Sequence, residues 1–134
     1  MKTVLAGGRF NIIHPGHVYF LKKAKTLGDR LVVIIASDKT VKTAGKSLLF
    51  PDTDRKRMVE SLRFVDKVII GYPIRDPEGY ARIIKRVKPD IIAVGHDQRV
   101  LPSSLKEMAK RAHHPVSVVR IKPYKSYKTR KIMR

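Results

Sequence analysis

His14 and His17 lie three residues apart around Pro15 and Gly16, a short distance after the pair Gly7-Gly8. Proline suits the first position of a helix, where its fixed φ helps and its missing N–H costs nothing. A helix should therefore start here, and its free N–H groups and positive dipole end make an anion site. Two imidazoles beside that site add donors for phosphate oxygens, while Gly7 and Gly8 allow a sharp turn and close approach of a ligand. The chemistry favoured is binding and transfer at phosphate. A solvated helix cap and a pair of metal ligands are the other readings of the same residues. Metal ligation needs a third donor, and neither Cys nor Glu stands in this turn to complete a zinc site or an H-E-x-x-H motif. Neither G-x-G-x-x-G nor G-x-x-x-x-G-K-[ST] occurs, which argues against a dinucleotide site or a P-loop.

These residues need a scaffold, and the apolar pattern supplies one. Continuous β-branched runs at residues 3–6, 31–36, 68–70, 91–94 and 116–121 read as strands buried on both faces. Helical spacing fills residues 17–27, 52–64, 77–87 and 102–113 between them. Alternating strand and helix predicts a single-domain α/β protein, a Rossmann-like doubly wound sheet of five parallel strands with helices on both faces. Such sheets bind ligands at the carboxyl ends of their strands. The polar turns Ser37-Asp38-Lys39 and Gly95-His96-Asp97-Gln98 fall there, as does the Gly7-to-His17 turn. One domain spans residues 1–134, with 122–134 a basic C-terminal segment that is either a tail or a closing piece of the site.

Charge narrows the class of partner. The chain has 134 residues with 30 Lys+Arg against 11 Asp+Glu, a net charge of +19. A magnitude of roughly 2 to 8 suffices for solubility, so the excess points to polyanions: nucleic acid, acidic membrane or phosphorylated small molecules. With 43% hydrophobic residues the chain can bury a core. It has no cysteine, which excludes disulfides, thiolate metal sites and a catalytic thiol. Its longest apolar runs, such as residues 31–36, fall well short of the roughly 20 residues a membrane helix needs. No secretory leader follows Met1-Lys2, so a cytoplasmic protein without a membrane partner is expected. Asn11 and Gln98 are the only side-chain amides, a balance in keeping with heat adaptation.

The turn GGRFNIIHPGH resembles the H-x-G-H signature of the cytidylyltransferase-like nucleotidyltransferases. The likeness runs along nearly the whole chain, through HPGHVYFLKKAKTLGDRLVVIIASDKTV, PDTDRKRMVESLRFVDKVIIG, KPDIIAVGHDQ and YKTRKI, and within the family it is nearest to archaeal-type FAD synthetases. This resemblance implies transfer of AMP from ATP to FMN, giving FAD and pyrophosphate. The first segment is shared with enzymes that transfer CMP or AMP to glycerol 3-phosphate or a sugar phosphate, so ATP or CTP with such an acceptor is the alternative.

What the resemblance implies for residues follows the motif. His14 and His17 act on the phosphates at the reacting centre, and proximity to a triphosphate favours their charged form. Gly7, Gly8, Arg9, Phe10, Asn11 and Gly16 belong to the nucleotide-binding turn. Asp97 lines the nucleotide pocket or caps a helix, and Thr129 joins the nucleotide site near the end of the chain. Lys42, Lys46, Arg55 and Ser126 are implied to bind phosphate or the acceptor, with a helix-surface role as the other reading of Arg55. Two departures stand out: Asn11 replaces the Asp of many relatives, and the usual run of small hydroxyl residues is reduced to Ser126 and Thr129. A divalent ion, Mg²⁺ by preference, would then bind mainly through the triphosphate. Relatives are often homodimers, which makes a homodimer an option here.

Lys22 and Lys23 belong either to the site or to a solvated helix face, and His113 and His114 read as a helix end. Tyr72, Tyr80, Tyr124 and Tyr127 either stack a flavin or cover core edges. A competing class is a basic nucleic-acid-binding protein on the same scaffold. From Arg99 to Arg134 there are 11 Lys+Arg and one acidic residue, though without a helix-turn-helix, RRM or KH signature.

Overall fold

The computed structural model describes residues 1–8, 10, 13–43, 45, 49–71, 77–95 and 102–123. In chain order these form β1 (Thr3–Gly8), α1 (Pro15–Thr26), β2 (Arg30–Ala36), α2 (Asp38–Thr43), α3 (Asp52–Glu60), β3 (Lys67–Gly71), α4 (Pro77–Val87), β4 (Ile91–Gly95), α5 (Pro102–Arg111) and β5 (Ser117–Ile121). The strands make one five-stranded sheet in the order β3-β2-β1-β4-β5, and every pair is parallel. This is the doubly wound, Rossmann-like α/β fold expected from the strand and helix alternation.

Side chains on a strand alternate between faces, so each continuous apolar run feeds two cores. Leu5, Val32, Ile34, Ile69, Ile92 and Val94 pack against α4 and α5. Their neighbours Val4, Ala6, Leu31, Val33, Ile35 and Val68 pack against α1 and α3. Each fully buried aliphatic side chain contributes on the order of 1.5–3 kcal/mol, so β1 and β2, buried on both sides, hold the sheet's centre rigid.

An aspartate stands just before each of β2, β3 and β4. Asp29 accepts from the Lys2 N–H (2.8 Å), Asp66 from the Leu31 N–H (2.7 Å) and Asp90 from the Thr3 N–H (2.8 Å). All three fasten adjacent strands at their amino ends, leaving the carboxyl ends open.

Two elements differ from the pattern reading. Residues 38–43 form the short helix α2, held by Val41, which is fully buried. Helix α3 stops at Glu60 although apolar spacing continues to residue 64. The chain turns there, with Leu62 N–H donating to Val59 O and Val65 N–H to Leu62 O, and Leu62, Phe64 and Val65 reach the core from the turn. Among the described residues no helix is long and apolar enough to cross a membrane.

Candidate active site

From β1 the chain winds outward through β2 to β3, then crosses back over β1 to reach β4 and β5. The winding reverses between β1 and β4, which is where a ligand crevice forms in such sheets. The register shows the opening directly. β1 pairs with β2 from Thr3 to Gly8, but with β4 only from Val4 to Ala6, opposite Ile91 to Ala93. Gly7, Gly8 and Gly95 therefore end the two central strands where their ladder has stopped.

Helix α1 begins beside this opening, and both histidines build its first turn. His14 is the N-cap, with extended backbone (φ −132°, ψ 171°), and Pro15 takes the first helical position. The Gly16 N–H donates to His14 Nδ1 (3.1 Å), and the His14 N–H makes a longer contact to His17 Nδ1 (3.4 Å). This is a reciprocal capping box in which imidazoles replace the usual hydroxyl and carboxylate. The two rings stack at 3.8 Å with planes 25° apart.

A ring nitrogen that accepts a backbone N–H carries no proton. Both Nδ1 atoms are acceptors, so each neutral ring holds its hydrogen on Nε2. That tautomer can donate to a phosphate oxygen without becoming an imidazolium.

Phe10 lies beneath the pair. Its ring meets His17 edge-on, with centroids 5.3 Å apart and planes at 63°, and it is only 4% exposed. Its backbone is left-handed (φ 53°), which brings the ring back over Gly8. A Cβ at Gly8 would come within 2.8 Å of Phe10 Cε2. Phe10, expected among the residues contacting nucleotide, is thus turned into the core, and Gly8 makes room for it.

The profile of the cytidylyltransferase-like family matches residues 5–134 of this sequence. The chain belongs to that family. Among curated members it is 46% identical to an FAD synthase from Ferroglobus placidus, covering 91% of this chain and 77% of that protein. It is 47% identical to an FAD synthase from Pyrococcus horikoshii, covering 90% and 80% respectively. Among solved structures it resembles a lipopolysaccharide core biosynthesis protein from Thermoplasma volcanium, with TM-score 0.84, 38% identity and coverage of 92% and 98%.

Within this family member the histidines occupy the H-x-G-H signature at the switch point, and Gly7, Gly8 and Gly16 lie in the same turn. Arg55 is placed differently from the expectation. It is fully buried, with Nε donating to Phe50 O (3.0 Å), Nη1 to Ala36 O (2.7 Å) and Nη2 to Asp38 Oδ1 (2.9 Å). Its guanidinium ties the end of β2 to the chain entering α3, so it is a buried residue and does not lie on a helix surface. Lys42 is exposed in the last turn of α2. Arg9, Asn11, Lys46, Asp97, Ser126 and Thr129 lie outside the described residues.

An open groove of about 620 Å³ borders His14, lined also by Ile13, Pro15, Val18, Tyr19 and Lys22. Its spacing along α1 follows the stripe opposite buried Leu21 and Ala24. Tyr19 joins the groove through the i, i+3, i+4, i+7 series from Pro15, a spacing visible in the sequence. His114 Nε2 contacts Pro89 O (2.7 Å) and packs the end of α5 onto the strand's amino side, away from the crevice.

No group of three His, Cys, Asp or Glu side chains capable of holding a metal ion occurs among the described residues. The described crevice presents two imidazoles and no carboxylate; the expected free N–H groups of the α1 first turn are not available, since those of Gly16, His17 and Val18 already bond His14. That set suits a triphosphate, and it does not form a direct cage for a hard cation such as Mg²⁺, which prefers oxygen ligands.

Proposed function

We propose that the protein is an FMN adenylyltransferase, making FAD and pyrophosphate from ATP and FMN. The observation that carries this reading is the stacked His14–His17 pair capping α1 at the β1/β4 opening, in a chain 46% and 47% identical to FAD synthases. A phosphate oxygen of FMN attacks the α-phosphorus of ATP in line. The new P–O bond forms as the bond from that phosphorus to the bridging oxygen breaks, and the electron pair leaves on pyrophosphate. The FMN phosphate is largely dianionic near neutral pH, so no protein base need remove a proton from it.

The chain's contribution is positioning and charge stabilisation. Nε2–H of His14 and of His17 would donate to triphosphate oxygens, and the α1 N-terminus adds its dipole. Gly7 would let the triphosphate approach the end of β1 closely, while Gly8 gives its space to the Phe10 ring. A divalent ion is assigned to the triphosphate itself, supplying charge neutralisation when bound. Gly16, whose N–H is committed to His14, orients the ring rather than the substrate.

A second reading concerns the acceptor. The Thermoplasma volcanium protein, 38% identical, is described by lipopolysaccharide core biosynthesis, which favours a sugar phosphate. Incubation with ATP or CTP and with FMN, glycerol 3-phosphate or a hexose or heptose phosphate, following pyrophosphate, separates the two. FAD formation from ATP and FMN is expected; turnover of a sugar phosphate with none of FMN would replace the first reading by the second.

A further inference from the structure

The two faces of the sheet carry different charge. On the α1/α3 side, cations meet carboxylates: Lys25 pairs with Asp66 (2.5 Å) and Lys56 with Glu60 (3.9 Å). On the other side, α4 and α5 bury Ile83, Ile84, Leu105 and Met108 against the sheet and turn their opposite stripes outward. Those stripes expose Arg82, Lys85 and Arg86 on α4 and Lys106, Lys110 and Arg111 on α5, with Glu107 among them. The two helices pack side by side, at the roughly 8–10 Å typical of helix contacts, so the six cations form one field.

We propose that the α4/α5 face binds double-stranded nucleic acid through its phosphates, without reading sequence. A few cations at the crevice would satisfy a triphosphate and a flavin phosphate, which leaves this field unused by the nucleotidyl transfer. Its position on the outward side of two helices, rather than at the strands' carboxyl ends, keeps it clear of His14 and His17. The apolar sides of both helices are committed to the core. The exposed large hydrophobic residues among those described are Met1, Leu49 and Phe50, all off this face, so the face lacks the apolar residues with which an interfacial helix enters lipid. The described outward positions also carry no aromatic ring, and unpaired strands are held chiefly by stacking on such rings. Closely set cations without stacking groups suit the regular phosphate array of a duplex, where binding is driven by counterion release.

The test compares two fourfold charge reversals of equal net charge. One changes the face: Lys85→Glu, Arg86→Glu, Lys106→Glu and Lys110→Glu. The other changes exposed cations elsewhere: Lys2→Glu, Arg57→Glu, Arg63→Glu and Lys67→Glu. Fluorescence anisotropy with a labelled mixed-sequence DNA duplex of about 24 base pairs, across a salt series, reads affinity and its salt slope. The face variant should bind at least about tenfold more weakly, with the salt slope reduced by roughly 3 to 4. The control variant should lose much less, and the face variant should keep its turnover of ATP and FMN. Equal loss in both variants, or no duplex binding by the unaltered chain, overturns the proposal. So does tighter binding to vesicles containing anionic phospholipid than to the duplex. If the reversed face does not fold, judged by circular dichroism, the four Gln replacements at the same positions make the comparison.

Discussion

Asp38 and Asp52 cap each other: the Asp52 N–H donates to Asp38 Oδ1 (2.7 Å) and the Asp38 N–H to Asp52 Oδ2 (3.0 Å). Each carboxylate serves the first turn of the other's helix, so the starts of α2 and α3, 14 residues apart in sequence, are tied together. Arg55 lies behind this clasp, holding Asp38, Phe50 O and Ala36 O with one guanidinium.

Arg55→Met should therefore act on stability before it acts on substrate binding. Loss of the guanidinium leaves the Ala36 and Phe50 carbonyls without this donor while Asp38 stays part-exposed, and an unsatisfied buried polar group costs about 1–3 kcal/mol, read as a lower urea midpoint. Arg55→Lys should recover little, because an ammonium cannot reach three acceptors in the geometry of a planar fork. A raised KM for FMN with an unchanged midpoint would instead return Arg55 to phosphate or acceptor binding.

His17→Ala removes the donor we propose meets the developing charge, and loss of one such donor costs about 10²–10³ in kcat. The capping contribution lost with it is only about 1 kcal/mol. The expected result is near-abolished FAD formation with a small drop in melting temperature, measured on the same preparation.

Gly8→Ala tests the path from the end of β1 to the His17 ring. The added Cβ would press on Phe10 at 2.8 Å from Cε2 and 3.0 Å from Cζ, and Phe10 is the edge against which His17 rests. Turnover should fall more than stability does. Phe10→Leu removes those two ring atoms, so the double variant should show non-additive kinetics, with part of the Gly8→Ala loss relieved.

Asp66 predicts the acid side of the stability profile. The hydrogen bond from Lys25 holds its carboxyl below the ordinary 3.8, helped by the Leu31 N–H and opposed by burial. A folded-state value below the unfolded one means this contribution is present above about 3.8 and is lost as pH falls through the folded value. Asp66→Asn should lower the melting temperature at neutral pH, and the gap to the unaltered chain should close as the buffer is taken below the carboxylate range. A gap independent of pH would assign the effect to packing. Because both partners are part-exposed, high salt should also narrow it.

Much of the fold was legible because its signals are local. The β-branched runs announce strands with two buried faces, and Pro15 after a glycine turn announces the α1 start. The H-x-G-H spacing, reinforced by likeness along the chain, pointed to phosphate chemistry at that start. Where the pattern misled, the cause was an apolar residue satisfied from a turn, as with Leu62 and Phe64 beyond α3.

What the sequence by itself determined is the sheet class, the placement of two histidines at a helix N-terminus and a large positive charge. Tertiary structure decided how those assets are used. It buried Arg55 among carbonyls because the end of β2 and the approach to α3 meet there, although residues 36, 50 and 55 show no periodic relation. It set Nδ1 of both histidines to accept backbone N–H groups, a tautomer fixed by distances across the α1 turn. It also gathered cations from residues 82 to 111 on one face, since two helices separated by a strand pack on the same side of the sheet. Spacing along a chain reports which side chains share an element; only packing brings different elements into contact.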